Sequence, residues 1–504
     1  MPWSNAAVAW SILALALVAG VFLRVWRIND LGYNTDEAVY AGQAAALAGV
    51  PVLKDLFPVF RAHPLLFQFI LAVLYKVGFS DLLGRLIAAA IGMWTVFLTY
   101  RIGKLMYGNL AGALAALFMA LMPYHVVVSR QVLLDGPETF FATLTVYMLA
   151  RYGASGGKGS WLYAAGAAMG MTVLSKETGI ILLGGVYTYL ALARQVHVRV
   201  KDLLISTLVM VMVILPFPIS MILAGGGSTG RQYLVWQLFR RANHEWSFYP
   251  LTVTPAIGIL LVVAAIVGVL VLRRQNTWSE TLLLSWIITP AAFFQLWPTK
   301  GFQYLLPIAP AFALLAARFV SHWAPGAIRA FRRQFSLAWI NPLMAATIAF
   351  SLFLGSWQIA QPSSSVSFLA GTGGVPGGRE AGAWILKNVP EGAVMMTVGP
   401  SMANIVSFYG HRKAYGLSVS PNPLFRNPSY TPVDNPDLLF RRSEIQYIVW
   451  DSFSSSRSPF FSNKLMSYVK KYNGRVAHVE SVVSTGPDGK TMTIPVIVIY
   501  EVRP

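Results

Sequence analysis

From residue 7 to residue 360 of this 504-residue chain, apolar runs follow one another. Each is roughly 15–24 residues long, about what carries a helix across a bilayer. In hydrocarbon every backbone N–H and C=O must pair within its own segment, so such runs are helical. The spacing predicts helices near 7–24, 84–102, 110–127, 137–151, 161–175, 178–194, 202–222, 251–272, 280–297, 302–320 and 336–360. The expected fold class is a polytopic α-helical membrane protein with about 11 transmembrane helices, or 12–13 if further short runs cross. The 56% hydrophobic content and mean hydropathy of +0.57 agree. The first run, Ala7–Leu23, lacks a basic leading segment and a small-residue cleavage site, so it is read as a retained helix. The chain has no cysteine, which excludes disulfides and thiolate chemistry.

A net charge of +19 invites a nucleic-acid reading, but its distribution argues otherwise. With the N-terminus inside, the inner connections hold thirteen Lys and Arg, from Arg101 to Arg333, against only Asp202 and Glu280. That asymmetry is the positive-inside signature, so the charge sets topology and nucleic acid is excluded as a partner. The outer connections collect nearly all remaining acids. The first, 25–83, carries Asp36 and Glu37 in Asn34-Thr-Asp-Glu-Ala-Val-Tyr40, together with Arg61 and His63. The second carries Arg130, Asp135 and Glu138, the third Lys176 and Glu177, and the fourth Arg240, Arg241, His244 and Glu245. The fifth carries Lys300 and Tyr304. Charges at bilayer depth are costly and face cavities or pathways, so their gathering on one side implies a polar outer cavity. Leu65–Val77 would place Asp36 and Asp135 on opposite sides if it crossed; being short and carrying Lys76, it is laid in the interface.

Beyond Ala360 the composition shifts. Residues 361–378 are rich in Ser, Gly and Pro and read as a linker between a membrane domain, 1–360, and an outer α/β domain, 379–504. In the latter, Arg379–Asn388 and Phe460–Tyr472 have helical spacing, while Val394–Val398, Tyr447–Trp450 and Ile494–Tyr500 read as buried strands.

The order of these motifs carries a resemblance. Asp36-Glu37 after the first helix, then His63-Pro64-Leu65, Ser129-Arg130, Leu134-Asp135, Ser175-Lys176 and Lys300 with Tyr304-Leu-Leu-Pro307 resemble protein O-mannosyltransferases and the bacterial transferases that add aminoarabinose to lipid A. Both are GT-C glycosyltransferases, which use polyprenyl-phosphate sugars. The resemblance covers roughly residues 5–360 and departs at Leu65, where the mannosyltransferase motif has a second proline. There is also no room for the β-trefoil insertion of the eukaryotic enzymes. It implies an enzyme of the cytoplasmic membrane of a prokaryote, with its active site and C-terminal domain outside. That enzyme moves one sugar, with inversion, from a polyprenyl phosphate to an external protein, lipid or glycan.

Inverting transfer needs a base for the acceptor hydroxyl, and a partly desolvated carboxylate suits this. Asp36 is assigned that role, with Glu37 beside it raising one pKa by like-charge repulsion. Asp135 orients a base or binds sugar. The departing lipid phosphate needs cations: Arg61, Arg130, Lys176, Arg240, Arg241 and Lys300 are candidates, with His63, His244, Glu138 and Tyr304 as further substrate ligands. Each has a bland counterpart: a helix cap for Asp36-Glu37, a helix start for Asp135 and Glu138, an interfacial ion pair for Lys176-Glu177, a snorkelling side chain for Lys300. No ligand spacing demands a metal; a divalent ion is compatible but not required, and no cofactor is assigned. A polymerase using lipid-linked oligosaccharide and a membrane transporter or flippase are the alternative functions, and a transporter is disfavoured because the acids sit at helix ends on one side rather than near the membrane midplane.

Overall fold

Five helices of the computed structural model are long and apolar enough to cross a membrane: Ala6–Val25, Asp81–Tyr107, Val200–Leu223, Phe302–His322 and Ile340–Ala360. The structure describes residues 6–59, 63–225, 227–275, 277–323, 339–361, 375–485 and 491–503. Two further spans arise if bent pairs are joined: Asn109–Leu121 with Pro123–Ser129, bent by 60°, and Phe248–Ile257 with Ile259–Val271, bent by 92°. The first bend falls where Pro123 opens a new helix, since proline has no N–H to continue the old one. The second falls at Gly258, whose φ of +107° an L side chain rarely adopts.

By length and composition the described residues thus hold five to seven spans rather than eleven. Helices are present at the remaining predicted sites, but Gly159–Ser175 and Leu182–Leu192 are short. Trp278–Leu296 contains Glu280, and Asp135–Ala154 contains Asp135, Glu138 and Arg151. Such helices fall short of a span by length or by the charges they carry. Asp202 and Glu280, the two acids expected on the inner side, are both buried; Asp202 accepts from the Tyr163 hydroxyl, and Glu280 pairs with Arg318 at 3.1 Å.

The first connection is mostly helical: Thr35–Ala48, Pro51–Leu56 and Leu66–Tyr75. At ten residues, Leu66–Tyr75 is too short to span, consistent with the interfacial placement. Thr35–Ala48 begins with a capping box. The Asn34 side chain accepts from the N–H groups of Asp36 and Glu37, and the Glu37 carboxylate accepts from the Asn34 N–H. Gly49, with φ of +96°, ends it.

Glu37 also receives a buried fork from Arg85, Nε to Oε1 at 2.9 Å and a terminal nitrogen to Oε2 at 2.8 Å. Arg85 spends its other donors on the carbonyls of Ile28, Leu31 and Gly32. Glu37 Oε1 accepts from the Val132 N–H at 3.1 Å, and Asn34 Nδ2 donates to Gln131 at 2.8 Å. One ion pair therefore fixes the first connection against the Asp81–Tyr107 span and the 130–134 loop.

The C-terminal region forms a five-stranded mixed sheet: β1 Val394–Thr397, β2 Lys413–Gly416, β3 Tyr447–Asp451, β4 Arg475–Thr485 and β5 Thr491–Glu501, in the order β2-β1-β3-β5-β4. β1 pairs in parallel with β2 and β3, whereas β5 is antiparallel to β3 and β4. The helices foreseen at 379–388 and 460–472 appear as Gly378–Asn388 and Pro459–Lys471. β2 and β4 were not foreseen: the first is four residues long, and the second interleaves polar residues. Most of the expected linker, 361–378, lies outside the described residues.

The sheet unit is seated on the first connection. Phe408, on the Pro400–Tyr409 crossover helix, meets the rings of Tyr33, Phe57 and Phe79. Arg379 pairs with Asp81 at 2.9 Å, Tyr409 donates to Asp81 at 2.7 Å, and Asn404 donates to Thr35 at 3.0 Å.

Breaking a buried pair strands its partner charge, at about 3–5 kcal/mol. Glu37→Gln is therefore expected to lower stability by about that amount, read as a fall in the thermal unfolding midpoint in detergent micelles. An unchanged midpoint would mean that the three carbonyls satisfy Arg85 without Glu37.

Candidate active site

Asp36 and Tyr40, four residues apart on Thr35–Ala48, share one helix face, and that face turns toward a cavity of about 470 Å³. The cavity draws on parts of the chain far apart in sequence. His63 comes from the first connection, Leu133 and Asp135 from the second, and Lys176 and Glu177 from the third. Tyr233, Trp236, Gln237 and Arg240 come from the fourth and Gly301, Gln303 and Tyr304 from the fifth. A segment of the C-terminal region, from Ser418 to Tyr430, completes the wall together with Pro400. Asp36, Asp135 and Lys176 thus share one cavity, as the interfacial placement of Leu66–Tyr75 requires.

The carboxylates there differ in how they are engaged. Asp135 is buried and bonded to Lys176 Nζ at 2.6 Å. Glu177 accepts from the Tyr233 hydroxyl at 2.9 Å and pairs with His63 Nδ1 at 2.8 Å. Asp36 is the exception. Among the described residues, no hydrogen bond or ion pair engages its carboxylate, and burial pushes its pKa above the ordinary value of 3.8, opposed by nearby His63. A half-buried carboxylate that is short of donors and faces an open cavity is suited to accept a proton.

The basic residues on the wall are each held by a partner. Burial alone lowers the lysine value at Lys176, but Asp135 and Glu138 outweigh it and the pKa is raised. Its ammonium sits 4.8 Å from the Tyr304 ring centroid. Burial likewise lowers the His63 value, yet Glu177 prevails and holds it above 6.5. Arg240 lies 4.5 Å over the Trp236 ring and donates to Gln237 at 3.1 Å.

Other sequence-predicted residues are placed elsewhere. Glu37 does not line the cavity and is engaged by Arg85, so the like-charge pair expected with Asp36 is not the main cause of its raised pKa. Glu138 lies behind Asp135, buried and accepting from Thr178 at 3.0 Å. Arg130 donates to the Leu23 and Arg24 carbonyls, tying the end of the first span. Lys300 is buried, its ammonium on the carbonyls of Gln295 and Trp297 at the end of Trp278–Leu296, as a helix C-cap. His244 stacks on Phe248 at 4.0 Å, and Arg241 sits 4.5 Å over the Phe425 ring behind the cavity wall. Arg61 lies outside the described residues. Among the described residues, no group of three or more His, Asp and Glu is arranged to hold a metal ion.

Several lining residues escaped the sequence reading. Tyr40 was signalled by its helical offset from Asp36. Tyr233, Gln237, Arg426 and Tyr430 carry no local signal, because only tertiary docking brings them to the cavity.

Residues 62–221 match the family model described as dolichyl-phosphate-mannose-protein mannosyltransferase. Over that segment, about a third of the chain, the sequence is similar to this family. The matched stretch contains His63, Asp135, Lys176 and Glu177 and begins after Asp36. Its fold is similar to that of ArnT from Cupriavidus metallidurans in the apo state, at 15% identity and a TM-score of 0.68, with 98% of each chain covered. The same protein bound to undecaprenyl phosphate matches at 14% identity and a TM-score of 0.68, over 97% of each chain. Archaeal oligosaccharyltransferase AglB from Archaeoglobus fulgidus, in complex with an inhibitory peptide and a dolichol-phosphate, matches at 13% identity and a TM-score of 0.59, over 96% of this chain and 74% of that one. No curated protein matches this sequence.

Neutralising one member of the Asp135–Lys176 pair strands the other, so Lys176→Met or Asp135→Asn alone is expected to lower stability by about 3–5 kcal/mol. The double variant regains most of it, because no charge is then left unpaired. Thermal unfolding of the three variants measures this; additive losses in the double variant would show that the two side chains act independently.

Proposed function

We propose that this glycosyltransferase moves one sugar from a polyprenyl monophosphate to the hydroxyl of an acceptor, with inversion at the anomeric carbon. The observation that carries the reading is the contrast among the cavity carboxylates: Asp135 and Glu177 are bound by cations, while Asp36 has none on it and faces the open space. In the proposed step the acceptor O–H proton passes to Asp36 as the hydroxyl oxygen forms its bond to the anomeric carbon. The bond from that carbon to the phosphate oxygen breaks, and the polyprenyl phosphate leaves as an anion. Lys176, Arg240 and protonated His63, all on the cavity wall, stabilise that charge, while Asp135 holds Lys176 in place and Tyr304 supports it.

A polyprenyl phosphate as the carrier fits two proteins of similar fold, ArnT bound to undecaprenyl phosphate and AglB in complex with dolichol-phosphate. In this reading residues 1–360 form the catalytic membrane domain, and residues 379–504 form a domain that roofs it. The positive-inside asymmetry supports a cytoplasmic membrane with the cavity and the roof outside.

The test is sugar release from undecaprenyl-phosphate-linked mannose, glucose and aminoarabinose by purified protein. Asp36→Asn is expected to lower kcat/KM by about 10²–10⁴-fold while leaving the unfolding midpoint close to wild type. A folded Asp36→Asn variant with full turnover would remove Asp36 from the role of base.

The same roles fix the pH profile. Asp36 must be ionised, so kcat/KM falls as pH drops through its raised pKa, giving an acid limb displaced upward from the ordinary 3.8. His63 must be protonated, so kcat/KM also falls as pH rises through a value above 6.5. His63→Gln is expected to abolish the alkaline limb and keep the acid one. An alkaline limb that persists would show that another group titrates there.

A further inference from the structure

A second chamber, of about 720 Å³, lies beside the catalytic cavity, and Pro400, Val419 and Tyr430 line both. One wall of this chamber is strand β2, for Lys413, Ala414, Tyr415 and Gly416 all border it. Successive side chains of a strand point to opposite faces, so a chamber against one face would meet every second residue. Four consecutive contacts place the chamber along the strand's edge, beside its backbone.

That edge is open. β2 is the outermost strand of the sheet, and among the described residues it pairs only with β1. The Leu417 N–H bonds to the Thr397 carbonyl on the β1 side. Backbone groups alternate sides along a strand, so those of Lys413 and Tyr415 also face β1, while the N–H and C=O of Ala414 and the N–H of Gly416 face the chamber. Across the chamber stand Val52, Asp55 and Leu56 of the Pro51–Leu56 helix. An exposed row of backbone donors and acceptors is complementary to one kind of partner, another extended backbone. His411 and Lys413 on the same walls, against Asp55 alone, favour a neutral or acidic segment.

We infer that the acceptor is an extended polypeptide segment that adds as a strand alongside β2, with a Ser or Thr reaching past Pro400, Val419 and Tyr430 toward Asp36. This rests on the reading of the adjoining cavity as the site of sugar transfer. Main-chain pairing gives affinity with little dependence on sequence, and the passage at Tyr430 sets which hydroxyl is presented.

The experiment uses the full-length wild-type protein in nanodiscs, a radiolabelled undecaprenyl-phosphate sugar that it hydrolyses, and decapeptides carrying a single Thr. In an added strand only every second N–H faces β2. N-methylation of alternate residues in one phase is therefore expected to cut transfer about tenfold or more, while methylation in the other phase leaves transfer near its original level. Ala414→Pro removes a chamber-facing N–H at a position where an edge strand tolerates proline, and it is expected to raise the peptide KM about tenfold. Ala414→Val, which keeps the N–H, is expected to retain the wild-type KM. Transfer equally sensitive to both methylation phases would overturn strand addition. Donor hydrolysis with transfer to glycans or lipids but to no peptide would overturn a polypeptide acceptor. No turnover of any polyprenyl-phosphate sugar would instead overturn the transfer reading on which the inference stands.

Discussion

The forked ion pair between Glu37 and Arg85 is the interaction on which the remaining geometry depends. Both side chains are almost wholly removed from solvent, so each is stable as a charge only because the other is there. Arg85 rides on a long apolar span, and its remaining donors hold the carbonyls of Ile28, Leu31 and Gly32. Glu37 simultaneously closes the capping box of Thr35–Ala48 and takes the Val132 N–H, three residues before Asp135. The cavity face of that helix and the loop leading to Asp135 are therefore set by the same carboxylate. Glu37 performs its task through a helix terminus, and its neighbour Asp36 is left to face the cavity.

How a charge is satisfied separates Asp36 from the paired carboxylates of this molecule. Glu37, Asp135, Glu177 and Glu280 each sit with a cation, and each is deeply or partly buried. Asp36 shares their desolvated setting without their compensation. In a low-dielectric site an uncompensated carboxylate gains most from capturing a proton, and this is why burial raises the Asp36 pKa. Lys176 shows the converse: Asp135 and Glu138 outweigh its burial and favour the charged ammonium, a positive point in the same cavity as Asp36.

Much of the fold was legible from the sequence, for identifiable reasons. Bilayer-length apolar runs located the long spans, and alternating or continuous apolar stretches located β1, β3 and β5. Asp36, His63, Asp135 and Lys176 stood out as ionisable groups retained among apolar helices, and Tyr304 through the motif resemblance; all five line the cavity. What escaped was non-local. The role of Glu37 depends on Arg85, which is forty-eight positions away and looks like an ordinary charge at a helix start. Lys300 and Arg130 read as phosphate ligands because they are basic and near the acids, yet they cap backbone carbonyls at span ends. The helix-cap alternative for Asp36-Glu37 was legible as well, and the capping box of Asn34 and Glu37 is that cap. β2 lacked a signal because four residues show no periodicity.

The cavity wall contributed by Ser418 to Tyr430 has a consequence for how the molecule comes into being. A chain leaves the ribosome in order, so the segments that carry Asp36, Asp135 and Lys176 are made long before the roofing segment exists. During that interval the polar groups stand at the mouth of an unfinished vestibule, and the crossover helix that presents Phe408 to Tyr33 and Phe57 is not yet synthesised. Assembly of the catalytic space is thereby deferred to the closing stage of biosynthesis, when the last third of the polypeptide folds back onto its beginning.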